Sequence, residues 1–390
     1  MWMALLVACG DPPEDVPVAQ EKTFSFEWGS SNRSEAVLVN ARPGGGYYVG
    51  LEVAAPARTD QRIISIDDDG SIAWEFQLGG DADDEFDTLV SLSDGTLAVG
   101  GRRLLNPAAD SDSVAIVALV DPTVPELIDG SFYQWNASNE NDRISAIAEV
   151  EDGVLVFAGE AGSQLLFAEV DPKGKLLEQK RAGPELVDVE GSVALGGGTF
   201  VLYGTVTDPD DFNDEGRIWA AEINRGGNVA REVSFGELYQ VRDRGTDLLV
   251  LDDRSWLMVG ETGQAGATDV RIVGVAADGA ARFEVTWDSA GDDLDPQLAQ
   301  GPDGTIWGAV VRNRDELIPL RIDPGTGDVQ RLTGLLGVNR LRDLHVDDDR
   351  FCVALSLPGD VKGGYIASFA CGAFDGDEIV WPELRSVEAE

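Results

Sequence analysis

Histidine is nearly missing from this chain: its 390 residues hold a single one, His345, in "LRDLHVDDD". Cysteine is limited to three. Nucleophilic Ser–His–Asp or Cys–His catalysis and transition-metal sites built from His and Cys are therefore excluded or nearly so. Basic residues are scarce too: 29 Lys and Arg stand against 71 Asp and Glu, a formal charge of −42. Such a chain repels phosphate, which argues against nucleic acid and against direct contact with anionic lipid surfaces. Long apolar runs are lacking, with nothing near the roughly 20 residues a membrane-spanning helix needs. What is plentiful is glycine, at 46 residues, and apolar side chains, at 43%. That mixture points to many strands and turns around ample core.

The first residues, "MWMALLVACGDPPEDVP", are different in kind. A short apolar run ends at Cys9, and an acidic, proline-rich stretch follows. "LVAC" resembles a bacterial lipobox. The resemblance implies cleavage before Cys9, lipidation of Cys9 and attachment to a membrane through that lipid. Gly10, rather than Asp, follows the cysteine, which by the same resemblance favours the outer membrane, on its periplasmic or surface face. Residues 1–22 are then signal and hydrated tether, and residues 23–390 the folded domain. The alternative is a frayed N-terminus with an incidental cysteine. An exported chain meets oxidising conditions. Cys352 and Cys371 lie on consecutive apolar segments, "FCVALS" and "YIASFAC", so they are either a cross-strand disulfide or two buried thiols.

One phrase recurs along the chain. "SLSDGTLAVGG" (91–101) is a turn followed by an apolar strand, and equivalents are "GGYYVG", "VLVFAGE", "TFVLYGT", "SWLMVGE", "TIWGAVV" and "RFCVALS". The interval is about 50 residues. Each phrase is preceded by a turn rich in Gly and Asp, which tolerate positive φ. A further strand precedes each turn, a second apolar strand follows, and in six units a polar outer strand such as "SIAWEFQL" comes next. Four short strands, seven times over, cannot bury both sheet faces unless the sheets stack radially. The fold class predicted is all-β, a seven-bladed β-propeller of four-stranded antiparallel blades. Both "TFSFEWGS" (23–30) and "DEIVWPEL" (377–384) fit the outer position of the last blade. Closure by the N-terminal segment is the favoured arrangement.

The units resemble those of bacterial quinoprotein-like and related extracytoplasmic propellers, in which a "DG" turn precedes a hydrophobic–V–G strand. "GPDGTIWGAV" is the closest phrase to that pattern. The resemblance spans residues 23–390 and implies the architecture. It does not imply the quinone cofactor, because the nine tryptophans follow no docking pattern. The S-x-D-x-G-x-T-W box of sialidase-like propellers is absent as well.

Acidic residues are the remaining chemical resource. Asp87, Asp188, Asp247, Asp295 and Asp343 each stand near the start of an innermost strand. They form either an acidic ring at one channel mouth, with calcium the natural ion, or a set of acceptors for backbone N–H groups where the chain turns. Two acidic loops add candidate contacts at Asp81, Asp83, Asp84, Asp210, Asp211 and Asp214. Neither loop has calcium-loop spacing. The leading expectation is a lipid-anchored, monomeric, non-enzymatic module that binds an envelope or extracellular protein or glycan. The alternatives are a glycoside hydrolase or lyase working with carboxylates alone, and a calcium-stabilised adhesin or lectin. No cofactor is expected beyond a calcium ion.

Overall fold

The phrase "SLSDGTLAVGG" folds as the hairpin that joins Asp83–Ser91 to Leu97–Leu104. Gly95, at φ 89°, donates its N–H to the Leu92 carbonyl at 3.0 Å, and the Asp94 carboxylate accepts the Thr96 N–H at 2.8 Å. This is a type I turn followed by a left-handed glycine, a geometry matched to strand twist. The same carboxylate bond recurs from Asp69 to Ser71, Asp253 to Ser255 and Asp303 to Thr305. This aspartate turn device thus recurs in several blades, between the first two strands or, in blade 1, the last two.

The structure, a computed structural model, describes residues 23–28, 34–55, 58–78, 83–105, 113–136, 141–150, 153–162, 164–171, 175–182, 187–207, 216–236, 242–264, 266–359, 365–376 and 378–384. Cys9 and the tether lie outside them. Seven antiparallel sheets make a seven-bladed β-propeller. Blades 1 to 6 cover residues 34–78, 83–135, 142–182, 187–235, 242–287 and 293–336. In each of them the strands add in chain order from the innermost outward, except that in blade 6 the outer position is shared by Val329–Arg331 and Leu335–Leu336. Blade 7 draws three strands from residues 340–375 and its outer strand, Phe24–Trp28, from the other end of the chain. Phe24 stands opposite Cys371, and Glu378–Val380 pairs the far end of the same strand. Both segments that fit the outer position are therefore used, on different halves of one edge. Among the described residues there is no helix long and apolar enough to cross a membrane.

Seven apolar clusters hold the ring together, one at each blade-to-blade interface. Leu155–Ala161, a second strand, is buried along its whole length, because blades cover both its faces. The outer strand Val229–Phe235 instead alternates half-buried and exposed residues. Burying each Val, Leu or Phe contributes about 1.5–3 kcal/mol. Cys352 and Cys371 stand directly opposite on adjacent strands of blade 7 and are joined by a disulfide facing the blade 1 interface. Polar ties run between the innermost strands. Asp343 of blade 7 accepts the Val39 N–H of blade 1 at 2.7 Å, and Asp247 of blade 5 accepts the Leu298 N–H of blade 6 at 2.7 Å.

Candidate functional site

Every innermost strand carries a β-bulge at an equivalent place, between Ala36 and Leu38, Phe86 and Thr88, Ile144 and Ala146, and so on around the ring. Bulges re-aim side chains. In blades 3 and 5 the bulge swings the carbonyls of Arg143 and Arg244 over the neighbouring strand, where a Cβ on Gly159 or Gly260 would overlap them. Gly159 and Gly260 are needed for this close approach, whereas a Cβ on Gly100 would meet Ile144 and Ile147 of the next blade. One rung before the bulge, charged residues face each other across the first two strands. The pairs are Glu35 with Glu52, Glu85 with Arg102, Arg143 with Glu160, Arg244 with Glu261 and Asp293 with Arg312.

Most of these side chains line a cavity of ≈ 880 Å³ at one mouth of the channel. Arg143 is its best-connected member. Its guanidinium lies 3.7 Å from Asp87, 3.4 Å from Glu160 and 3.2 Å from Asp188, and it donates to the Val189 carbonyl. Those partners belong to blades 2, 3 and 4. Burial works against its charge, but the three carboxylates outweigh it and hold the pKa above the usual value. Arg244 repeats the pattern one interface on, donating to Glu190 at 2.8 Å and lying 4.0 Å from Glu261 and Asp295. Arg340 and Arg342 of blade 7 reach Glu35 of blade 1 at 3.2 and 3.5 Å. Arg102 pairs with Glu85.

Several carboxylates here hold protons unusually tightly. Burial pushes Glu52 up to about 8, opposed by Arg342 and reinforced by Glu85 and Glu35. Burial likewise raises Glu160 to about 7 and Asp87 to about 6, with Arg143 opposing in both. The Asp87 Oδ2 is buried with no hydrogen-bond partner among the described residues. Near neutral pH the mouth thus holds a protonated acid, carboxylates poised to accept a proton, and fixed positive charge. Perturbed titratable groups gathered in one cleft are the usual mark of a working site.

The five aspartates singled out in the sequence are not equivalent. Asp87 and Asp295 sit in bulges and line the mouth, and Asp188 lies at its rim beside Arg143. Asp247 and Asp343 fall beyond the bulge and accept backbone N–H groups from the next blade, as well as from Leu248 and Leu344, although Asp343 also borders the cavity. Of the two readings of these aspartates, backbone acceptance describes Asp247 and Asp343, and the ring at the mouth is a mixed one in which arginines fill the gaps. Physically this is necessary, since so many carboxylates confined together could not all ionise unpaired. Asp84 is also corrected. It is fully buried and held by two bonds from Arg103, at 2.6 and 2.9 Å, so it is no loop contact. Asp83 opens the first strand of blade 2, while Asp81, Asp210, Asp211 and Asp214 lie outside the described residues. His345 packs against Tyr47 at 5.9 Å between blades 7 and 1, and burial lowers its pKa.

Glu52, Arg102, Arg143, Glu160, Arg244 and Glu261 went unnoticed in the sequence. A signal was present: "VGLE", "GGR", "AGE" and "VGE" place a charge just after the strand glycine or its equivalent. Away from the mouth, Asp269, Asp288 and Asp293 are the one group of carboxylates among the described residues close enough to share a cation. Ser289 already donates its backbone N–H to Asp293.

No protein-family model matches the chain, and no curated protein matches it. Solved structures of the same shape do exist. A polysaccharide lyase of family PL25, an ulvan lyase, superposes with a TM-score of 0.55 at 11% identity, over 92% of this chain and 98% of that one. A second structure of that lyase, bound to -[GlcA(1-4)Rha3S]-, gives the same values. The WD40 repeats of RRP9 superpose at 0.56 and 11%, over 90% and 97%. At that identity the likeness establishes the propeller fold. It contradicts the expectation of a non-enzyme to this extent, that a lyase shares the shape, and it partly echoes the lyase alternative read from the sequence. Scarcity of histidine does not bar such chemistry, because carboxylates alone can cleave a glycosidic bond, as the alternative reading of the sequence holds.

Proposed function

We propose that the protein is a glycan-degrading enzyme whose active site is the charged channel mouth, and that it cleaves an acidic, uronate-containing polysaccharide by elimination. One observation carries this reading: five arginines line a single cavity together with carboxylates of raised pKa, Glu52 and Asp87 among them, in a chain otherwise dominated by negative charge. An arginine such as Arg143 or Arg342 neutralises the uronate carboxylate, which acidifies the adjacent C5–H. Asp87, whose Oδ2 has no hydrogen-bond partner among the described residues, removes that proton. Glu52, protonated near neutral pH, gives its own to the departing O4. The C5–H and C4–O bonds break, a C4=C5 double bond forms, and protons balance. Matching catalytic pKa values to the working pH is what makes such transfers efficient. The ulvan lyase with its bound uronate-containing saccharide supports the reading by fold alone.

The test is incubation with a panel of polyuronates and sulfated uronate polysaccharides, following the ultraviolet absorbance of the unsaturated uronate. Absorbance should rise with the native protein and be lost in Arg143→Gln. New reducing ends without absorbance would assign hydrolysis, the other carboxylate chemistry. With neither signal on any substrate, the reading fails. We place this enzyme on a lipid anchor at Cys9, at the bacterial cell envelope. Cys9→Ser should move it to the soluble fraction, and persistent membrane association would contradict the anchor.

A further inference from the structure

Beside the mouth, and sharing Arg244, Asp295 and Arg340 with it, lies a groove of ≈ 520 Å³ that the catalytic reading does not use. Arg242 and Arg314 complete its cationic wall. Both are exposed, and neither makes a hydrogen bond or an ion pair among the described residues. The groove's own acids are already occupied. Glu261 accepts the Asp295 N–H at 2.8 Å, Asp292 accepts the Thr268 N–H at 2.9 Å, and Asp295 faces Arg244 at 4.0 Å. Arg242 and Arg314 act on Glu261 and Asp295 only through space, so their guanidinium N–H groups stay open to a ligand in a chain with little positive charge to spare.

Arg314 is held in place at a cost. It sits at φ 56° after Asn313 at φ 53°, in the two-residue turn closed by the Asp315 N–H to the Arg312 carbonyl at 3.0 Å. Such a turn prefers Asn-Gly, because both central residues are left-handed. An arginine in the glycine position costs about 1–2 kcal/mol. The turn is also clamped to its neighbour: Asn313 donates its N–H to the Asp292 carbonyl at 2.7 Å, and its side-chain oxygen accepts the Asp292 N–H at 2.9 Å. Among the described residues, five that are not glycine have positive φ; Asp295 and Arg314 line this groove, and Ala290 and Asn313 lie within two residues of its lining. Strain retained at one place on a fold marks a functional constraint.

We propose that this groove is a second anion subsite, which takes an oxyanion substituent, carboxylate or sulfate ester, on a sugar unit next to the one held in the mouth. Its position along the chain of a glycan rests on the proposed function, whereas its capacity to bind an oxyanion does not. The net charge of the protein does not forbid this, because distant carboxylates are screened over about 8–10 Å at physiological salt, while Arg242 and Arg314 act by contact.

The variant that tests it is Arg314→Gly, which removes the cation and suits the turn, so its melting temperature should equal or exceed that of the native protein. Binding of inorganic sulfate and of D-glucuronate is measured by calorimetry at constant ionic strength on the native protein, Arg314→Gly, Arg242→Gln and Arg143→Gln. Binding of either anion, weakened about tenfold in Arg314→Gly and in Arg242→Gln but retained in Arg143→Gln, supports the subsite. Preference for sulfate or for glucuronate then tells which substituent it takes. No binding to the native protein, or binding indifferent to both groove substitutions, overturns it. Sulfate binding sensitive to Arg314→Gly together with no cleavage of any glycan would keep the subsite and discard the elimination reading.

Discussion

Glu52 stands directly opposite Glu35 on the first two strands of blade 1, at the rung where blade 2 sets Glu85 against Arg102 and blade 3 sets Arg143 against Glu160. Like charges so placed repel. Arg340 and Arg342 hold Glu35, and Glu52 keeps its proton instead, with a pKa pushed up to about 8 by burial. Glu52→Gln mimics that protonated form. It should leave the melting temperature at neutral pH unchanged while lowering glycan cleavage at least about 100-fold, the range a general acid contributes. Unchanged turnover would remove Glu52 from the proton transfer.

The raised carboxylates also set how stability depends on pH. Glu52, Glu160 and Asp343, at about 8, 7 and 7, and Asp87 and Asp247, at about 6, all bind protons more tightly folded than unfolded. The stability they contribute is fully present below the unfolded carboxylate range and is lost as pH rises through 6 to 8. The repulsion of a −42 chain acts in the same direction. Differential scanning fluorimetry should therefore show a higher melting temperature at about pH 5.5 than at about pH 8. A flat or reversed profile would contradict the environments assigned to these groups.

Closure of the ring rests in part on one bond between its ends. The Asp343 carboxylate accepts the Val39 N–H, from the last innermost strand to the first. Asp343→Ala leaves that N–H unsatisfied and should cost about 1–3 kcal/mol in urea unfolding. A loss no larger than that of an exposed surface substitution would mean that the interface cluster around Val49, Ile64 and Phe369 closes the ring unaided.

At Gly159 the constraint is space, not backbone angle. A methyl group there would collide with the Arg143 carbonyl at the bulge. Gly159→Ala should destabilise by about 1–3 kcal/mol and disturb Arg143 with it. Gly95→Ala, whose methyl would meet nothing within 4 Å, carries only the left-handed backbone cost. Circular dichroism melts of the two, with cleavage assays alongside, separate them: only Gly159→Ala should lose activity.

The fold was legible because its grammar is local. A turn and an apolar strand recur in each unit, with a glycine in that strand in six of the seven, and strands that are apolar on both faces demand neighbours on both sides. The site was less legible because its members come from different places in the repeat. Arg143 and Arg244 lie on innermost strands, while Glu52, Arg102 and Glu160 lie on second strands, and only the register brings them level. Counting residues to the next turn aligned Asp87 with Asp247, but the bulge separates them: Asp87 is the bulge residue and Asp247 follows one. A one-residue insertion that sequence spacing does not display thus decides which aspartate faces the cavity and which ties two blades together. The arginines were overlooked for a related reason. The bulk charge hides seven of them gathered at one mouth and its adjoining groove.

The most direct measurement is a crystal structure of the Glu52→Gln protein with a bound uronate oligosaccharide. The account predicts the saccharide in the channel mouth, with a uronate carboxylate on the arginines that line it, Arg143 or Arg342 foremost, and C5 within reach of Asp87. A saccharide bound on the outer strands or the opposite face, with the mouth left to water, would contradict it.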